Sequence, residues 1–313
     1  MCLYLSVHST KNTIKFFFLI AFIFLSKLGL AQETPKYILE LADREQQFNQ
    51  LSQEKGVKAA FLAVLNERGT VFRPEPINGK FFFKERKEDI PGQLSWEPTW
   101  IEVSSDGALG YTTGPFEYRN DPSDPQQANF GQYVSIWVKD KRKWELMLDL
   151  GISHAKPPFT PQLTFAEINP EYKRAVMDFI AIEQQKNSRE LLKATDELYC
   201  SNLNSGLINE SYKEYLAQNI RLLRTNNLPI LGKTSATKYL NSIKANYEYK
   251  PNVAYVAASR DLGYTYGTVT VTTNVKRKMV TSAYNYVRIW RKEEHGYWKI
   301  ALDIEAPIPP KNQ

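Results

Sequence analysis

Cysteine is nearly absent, with two in 313 residues at Cys2 and Cys200. Cys2 lies in an N-terminal segment that reads as a removable signal, so no intramolecular disulfide is left to hold the mature fold. Histidine is almost as scarce, at three. No group of His, Cys, Asp and Glu has metal-ligand spacing; His154 lies beside a proline-rich stretch and His295 in a turn. Phosphate-cradling glycine loops are missing. Ser104-Ser105 and Ser201 lack the flanking glycines of a nucleophile elbow. These absences argue against a metal centre, a nucleotide-binding loop and a serine-hydrolase elbow, and no cofactor is expected.

The chain opens with Lys11 and Lys15, followed by an unbroken apolar run from Phe16 to Leu25 and small residues at Gly29-Leu30-Ala31. This is the pattern of a signal peptide over residues 1–31, cut before Gln32. The run is too short to span a bilayer core, which takes about 20 residues, and no lipid-accepting cysteine follows. The mature protein is therefore expected in the periplasm or outside the cell, with no membrane attachment. The signal holds Lys11, Lys15 and Lys27 and no acid, so the net charge of +6 falls to about +3. That is too small to imply a nucleic-acid partner. Lys84 to Lys87 and Lys276-Arg277-Lys278 sit among charged or turn residues and read as solvated.

The strongest pattern is internal repetition. Leu109-Gly-Tyr-Thr-Thr-Gly114 corresponds to Leu262-Gly-Tyr-Thr-Tyr-Gly267. At the same spacing Pro76 falls on Pro229, Gly79-Lys80 on Gly232-Lys233, Pro98 on Pro251, and Tyr133 and Trp137 on Tyr286 and Trp290. With one inserted residue, Trp144 and Asp149 fall on Trp298 and Asp303; upstream, Leu39 and Asp43 fall on Leu192 and Asp196. The expected organisation is a signal over 1–31, a first domain over 32–155, a linker and connector helix over 156–187, and a second domain over 188–313. The prolines of Lys156-Pro-Pro-Phe-Thr-Pro161 make the linker, and Asn169-Pro170 is a helix start.

Each repeat places helices before strands. The spacing of Ile38, Leu41, Phe48 and Leu51 predicts an amphipathic helix over 36–55. Ser188 to Leu203 and Tyr212 to Leu223 are read as helices of the second repeat, with Cys200 as a buried, inert thiol. Period-two patterning predicts strands at 99–104, 109–118, 131–139 and 143–150, and at 253–258, 262–272, 282–291 and 297–304. The fold class is α+β, two tandem domains of helices packed on an antiparallel sheet.

Helices followed by such a sheet, the Leu-Gly-Tyr-Thr-x-Gly strand and the ending Trp-x-x-x-x-Asp together resemble the SnoaL-like, nuclear-transport-factor-2-like cone fold. The likeness is to its exported bacterial branch of unknown function, and it covers nearly all of the mature chain, twice. The resemblance implies a curved sheet around a pocket roofed by helices. It does not imply one activity, because the superfamily holds isomerases, dehydratases, cyclases and binding modules.

Leu109, Tyr111 and Thr113 share one strand face, as do Leu262, Tyr264 and Tyr266. On the next strand Tyr133, Ser135 and Trp137 match Tyr286, Arg288 and Trp290, while Val134, Ile136, Val287 and Ile289 make the opposite faces apolar as well. A half-exposed strand is polar on one side, so the second face needs cover: the two sheets pairing within one chain, or homodimerisation. Tyr111, Tyr133, Trp137, Tyr264, Tyr266, Tyr286 and Trp290 are candidates to line a site for a small-molecule ligand, or are core. Asp149 and Asp303, each ending a hydrophobic strand, are candidate general bases, with Tyr111 or Tyr264 as hydrogen-bond donor. Capping or bridging is the alternative for each aspartate. Strict alternation puts them on the face of Met147 and Ala301, opposite Trp144 and Trp298.

Overall fold

The structure, a computed structural model, describes residues 34–121, 124, 127–166, 179–293 and 296–310. The expected signal peptide, the helix start at Asn169-Pro170 and His295 lie outside the described residues.

The first half begins with α1 (Lys36–Lys55), whose buried Ile38, Leu41, Glu45, Phe48 and Ser52 recur at helical spacing along one face. Gly56, at φ +84°, ends it and leads into α2 (Val57–Val64). There follow β1 (Leu65–Phe72), β2 (Pro76–Asn78), α3 (Gly79–Glu85), β3 (Gln93–Trp96), β4 (Trp100–Val103), β5 (Leu109–Arg119), β6 (Ala128–Asp140), β7 (Lys143–His154) and β8 (Thr164–Phe165). The second half repeats the order with α4 (Phe179–Asn204), α5 (Ile208–Tyr215), β9 (Leu216–Arg224), β10 (Ile230–Leu231), α6 (Lys233–Ser242), β11 (Ala245–Val256), β12 (Leu262–Val275), β13 (Lys278–Lys292) and β14 (Trp298–Ile308). The chain is α+β, with sheet orders β2-β1-β7-β6-β5-β4-β8 and β10-β9-β14-β13-β12-β11. The expected connector helix and the first helix of the second half are one helix, continuous from Phe179.

Two expectations are corrected. Tyr212 to Leu223 is not one helix: α5 stops at Tyr215, and Leu216–Arg224 is a strand parallel to β14. A short apolar run such as Ile-Arg-Leu-Leu fits a buried strand as well as a helix, and sheet pairing decides it. The second correction concerns register. Leu41 packs against Gly110 as Leu192 packs against Gly263, so the helix partner of Asp196 is Glu45. Asp43 is exposed. Two further residues in the β9–β10 turn, relative to β1–β2, take up the slip. Arg73 thereby corresponds to Arg224.

In both halves a β-bulge interrupts the pairing, at Met147 between β6 and β7 and at Ala301 between β13 and β14. The bulge reverses the alternation. Trp144 and Leu146 before it and Asp149 after it face the helices, while Leu148, Leu150 and Ile152 face away. The aspartates thus share the face of Trp144 and Trp298, and the strict-alternation placement is overturned.

The outward faces meet. One buried cluster draws on both sheets, with Ile136, Leu148 and Leu150 from the first and Val287, Leu302 and Ile304 from the second. Its rim is polar: Ser259 N–H donates to Asp106 at 2.7 Å, Ser105 N–H to Asp261 at 2.9 Å, and Arg291 pairs with Glu102 at 2.9 Å. Leu302 is fully buried there. Leu302→Ala is expected to cost about 2–5 kcal/mol, read as a lower urea midpoint for the whole chain. A loss confined to probes in the second half would contradict a shared core.

Candidate functional site

In the first half a cavity of about 210 Å³ opens between α1, α2 and the inner face of the sheet. Phe48 and Phe61 line it from the helices, Trp96, Phe116 and Tyr133 from the strands, with Ser135, Asp149 and Gly151 on the sheet and Arg73 at the exposed mouth. A wider, more open groove of about 450 Å³ shares Trp96 and Phe116 with it, and its other walls mix polar residues such as Asn49, Glu97 and Lys156 with Phe130, Phe159 and the prolines of the linker.

Asp149 accepts a hydrogen bond from Ser135 Oγ at 2.9 Å. Burial pushes its carboxyl up to about 6 against the opposing pull of the Arg73 charge and the Ser135 hydroxyl. The Tyr133 hydroxyl, also held well above its ordinary range by burial, has no hydrogen-bond partner among the described residues. Thr112 lies nearby, yet its hydroxyl is directed to Glu45 Oε2 at 2.6 Å. Glu45 itself is fully buried and accepts from Trp96 Nε1 at 2.6 Å and Trp137 Nε1 at 2.8 Å. Burial pushes it up to about 7 despite these three donors, and the Asp149 charge adds to the rise.

The sign of the pH effect follows. Both carboxyls bind protons more tightly when folded than when unfolded, so their stabilisation is complete below about pH 4 and is lost as pH rises through 6 and 7. For Glu45 the change is on the order of 3 kcal/mol. The melting temperature is expected to fall between pH 5 and pH 8, and Glu45→Gln to flatten that slope. Equal slopes in the two proteins would contradict it.

The second half carries the same frame with different contents. By strand register Tyr133, Ser135, Asp149 and Gly151 correspond to Tyr286, Arg288, Asp303 and Glu305. Arg288 replaces a serine, and its fully buried guanidinium lies 4.7 Å from the Tyr199 ring, 4.7 Å from Tyr249 and 4.1 Å from Tyr286. Those rings correspond to Phe48, Trp96 and Tyr133 of the cavity wall. Arg288 pairs with Asp196 at 2.6 Å and Asp303 at 3.4 Å; Arg224 pairs with Asp303 at 3.0 Å and Glu305 at 3.2 Å. Tyr286 donates to Asp196 and Tyr249 to Glu305, each at 2.8 Å. The chain's own arginine fills what is a cavity in the first half.

The candidate residues from the sequence divide accordingly. Tyr133 and Asp149 come together at the cavity. Trp137 stands behind it and donates to Glu45. Tyr286 and Asp303 belong to the arginine network, while Trp290 Nε1 donates to Thr265 at 2.8 Å. Tyr111 and Tyr264 lie on the other face of their sheets, between the two halves, in space too small for a water molecule. Tyr111 donates to Glu102 at 2.8 Å and accepts from Trp100 Nε1 at 2.9 Å. Tyr266 packs edge-on against Phe72 in the same layer. Pairing either aspartate with Tyr111 or Tyr264 as donor is therefore corrected: the sheet separates them, and Tyr133 is the hydroxyl on the Asp149 face. Glu45, Trp96 and Arg73 went unnoticed in the sequence; for Glu45 the signal was an acid at a core position of an amphipathic helix. Cys200 is buried, its thiol pushed up to about 11 chiefly by burial, which suits packing better than nucleophilic attack. Among the described residues no group of three or more potential ligands could hold a metal.

No protein-family model and no curated protein matches the sequence. In fold the chain is similar to a ketosteroid isomerase-like protein from Erwinia carotovora atroseptica, at 19% identity and a TM-score of 0.36 over 39% of this chain and 98% of that one. It is similar to a nuclear-transport-factor-2-like protein with a cystatin-like fold from Novosphingobium aromaticivorans, at 11% identity and a TM-score of 0.35 over 44% and 94%. A nuclear-transport-factor-2-like superfamily protein from Salmonella enterica is similar at 8% identity and a TM-score of 0.35, over 41% of this chain and 95% of its own.

Proposed function

We propose that this is an exported bacterial binding protein whose first half holds a small, largely apolar or amphipathic molecule in the cavity between Phe48, Trp96 and Tyr133. Its second half is the same frame closed by Arg288 and serves as a structural partner. One observation carries the reading: equivalent positions form an open, ring-walled cavity in one half and are filled by a paired arginine in the other. Export rests on the charged, apolar and small-residue order of residues 1–31. A volume near 210 Å³ suits a ring with a short substituent, since about 150 Å³ already accepts benzene.

A second reading is a proton-transfer enzyme. The observation favouring it is that Asp149, held near 6, and Tyr133, whose buried hydroxyl has no partner among the described residues, both line the cavity. Asp149 would take a proton from carbon beside a carbonyl, and Tyr133 would donate to the carbonyl oxygen.

Native mass spectrometry of residues 32–313, purified gently from a bacterial periplasm, tests the binding reading. A discrete extra mass that leaves on denaturation supports it. A bare chain that also takes up no small cyclic molecule when offered one at millimolar concentration would sink it.

A further inference from the structure

The second half shows which chemical group its frame accommodates. A planar guanidinium lies among three aromatic rings and within ion-pairing distance of two carboxylates, one from a helix and one from the sheet. In the first half the three corresponding rings, Phe48, Trp96 and Tyr133, and the two corresponding acids, Glu45 and Asp149, are all retained, while the side chain that carries the guanidinium is replaced by Ser135.

We propose, building on the binding reading above, that the first-half cavity selects ligands with a planar cationic head, a guanidinium or amidinium, which takes the place Arg288 occupies in the second half. Trp96 offers the strongest cation-binding face of the aromatic side chains, and its ring is oriented by the bond from Nε1 to Glu45. Asp149 supplies the carboxylate, because among the described residues its only hydrogen bond is from the Ser135 hydroxyl and a carboxylate accepts several. The Arg73 charge, which acts on Asp149, has to be accommodated beside such a head. In the second half its counterpart Arg224 and Arg288 lie 3.0 and 3.4 Å from Asp303, with Glu305 as a further acid 3.2 Å from Arg224 where the first half has Gly151. Arg73 makes no ion pair with Asp149 and donates to the Phe72 carbonyl at 2.7 Å. Its guanidinium also lies 5.9 Å from the Phe82 ring, and an acidic tail on the ligand would pair with it.

Benzamidine and benzamide are the test pair, alike in shape and size and different in charge. In calorimetric titrations of residues 32–313 at pH 8, benzamidine is expected to bind at least about 10-fold tighter than benzamide. Asp149→Asn is expected to bring the ratio of the two affinities close to one. That ratio is insensitive to a general loosening of the fold, which weakens both probes together. Equal affinities in the unaltered protein, or a preference for benzamide, overturn the cationic head and leave the cavity reading standing. Binding of neither probe, nor of neutral cyclohexanone, at 10 mM removes both.

Discussion

Arg288→Met is expected to destabilise the protein by about 3–5 kcal/mol, because it strands two buried carboxylates that now share one guanidinium. Asp196 and Asp303 are 1% and 2% exposed, and water cannot replace the lost partner. Arg224 still reaches Asp303 at 3.0 Å, so Asp196 on α4 suffers more, keeping among the described residues only the Tyr286 hydroxyl and a distant thiol. The companion variant separates a lost pair from a lost shape. Adding Asp196→Leu to Arg288→Met removes the stranded charge and fills space beside Tyr199 and Tyr249. It is expected to regain much of the loss, as replacement of whole buried ion pairs by apolar groups commonly does. Urea unfolding reads both. A single variant within about 1 kcal/mol of the unaltered protein would contradict the view that Arg288 is the linchpin of the second half.

The converse change is expected to have the largest effect on binding. Ser135→Arg extends a side chain from the same strand position as Arg288 into the first-half cavity, where the guanidinium meets Phe48, Trp96, Tyr133 and Asp149. Small-molecule affinity is expected to fall at least about 100-fold, since the occupant is covalently present at an effective concentration no free ligand matches. The pH slope of stability is also expected to shrink. A cation beside Asp149 and Glu45 lowers both carboxyls from about 6 and about 7 toward their ordinary range. Titration calorimetry and melting curves at pH 5 and pH 8 measure the two effects. Full retention of ligand affinity would place the binding site elsewhere.

Much of this architecture is legible in residue order. The helix over 36–55 and the central antiparallel strands follow from period 3.6 and period 2, and the need to cover Val134, Ile136, Val287 and Ile289 is plain from their alternation. What resisted reading has local causes. The strands Leu65–Phe72 and Leu216–Arg224 are short and buried, and their parallel pairing to β7 and β14 leaves no period to distinguish them from helix ends. The bulges at Met147 and Ala301 flip Asp149 and Asp303 to the helix side, and a one-residue bulge has no signature in an apolar strand. The match of Glu45 to Asp196 is hidden by the slip in the β9–β10 turn, which made the exposed Asp43 the apparent counterpart. Arg288 stood visibly in the column of Ser135, between Tyr286 and Trp290. Its meaning emerges only when the acids on both sides of the frame are seen to converge on it.

The most direct test of an open first half beside a self-filled second half is fluorine NMR of residues 32–313 labelled with fluorotryptophan. The chain has six tryptophans, of which Trp96 walls the cavity while Trp290 and Trp298 lie in the core of the second half. Titration with benzamidine, benzamide and cyclohexanone is predicted to move the Trp96 resonance with at least one of them and to leave Trp290 and Trp298 in place. Movement of Trp290 with Trp96 unchanged would contradict this and put the receptive site in the half that holds Arg288.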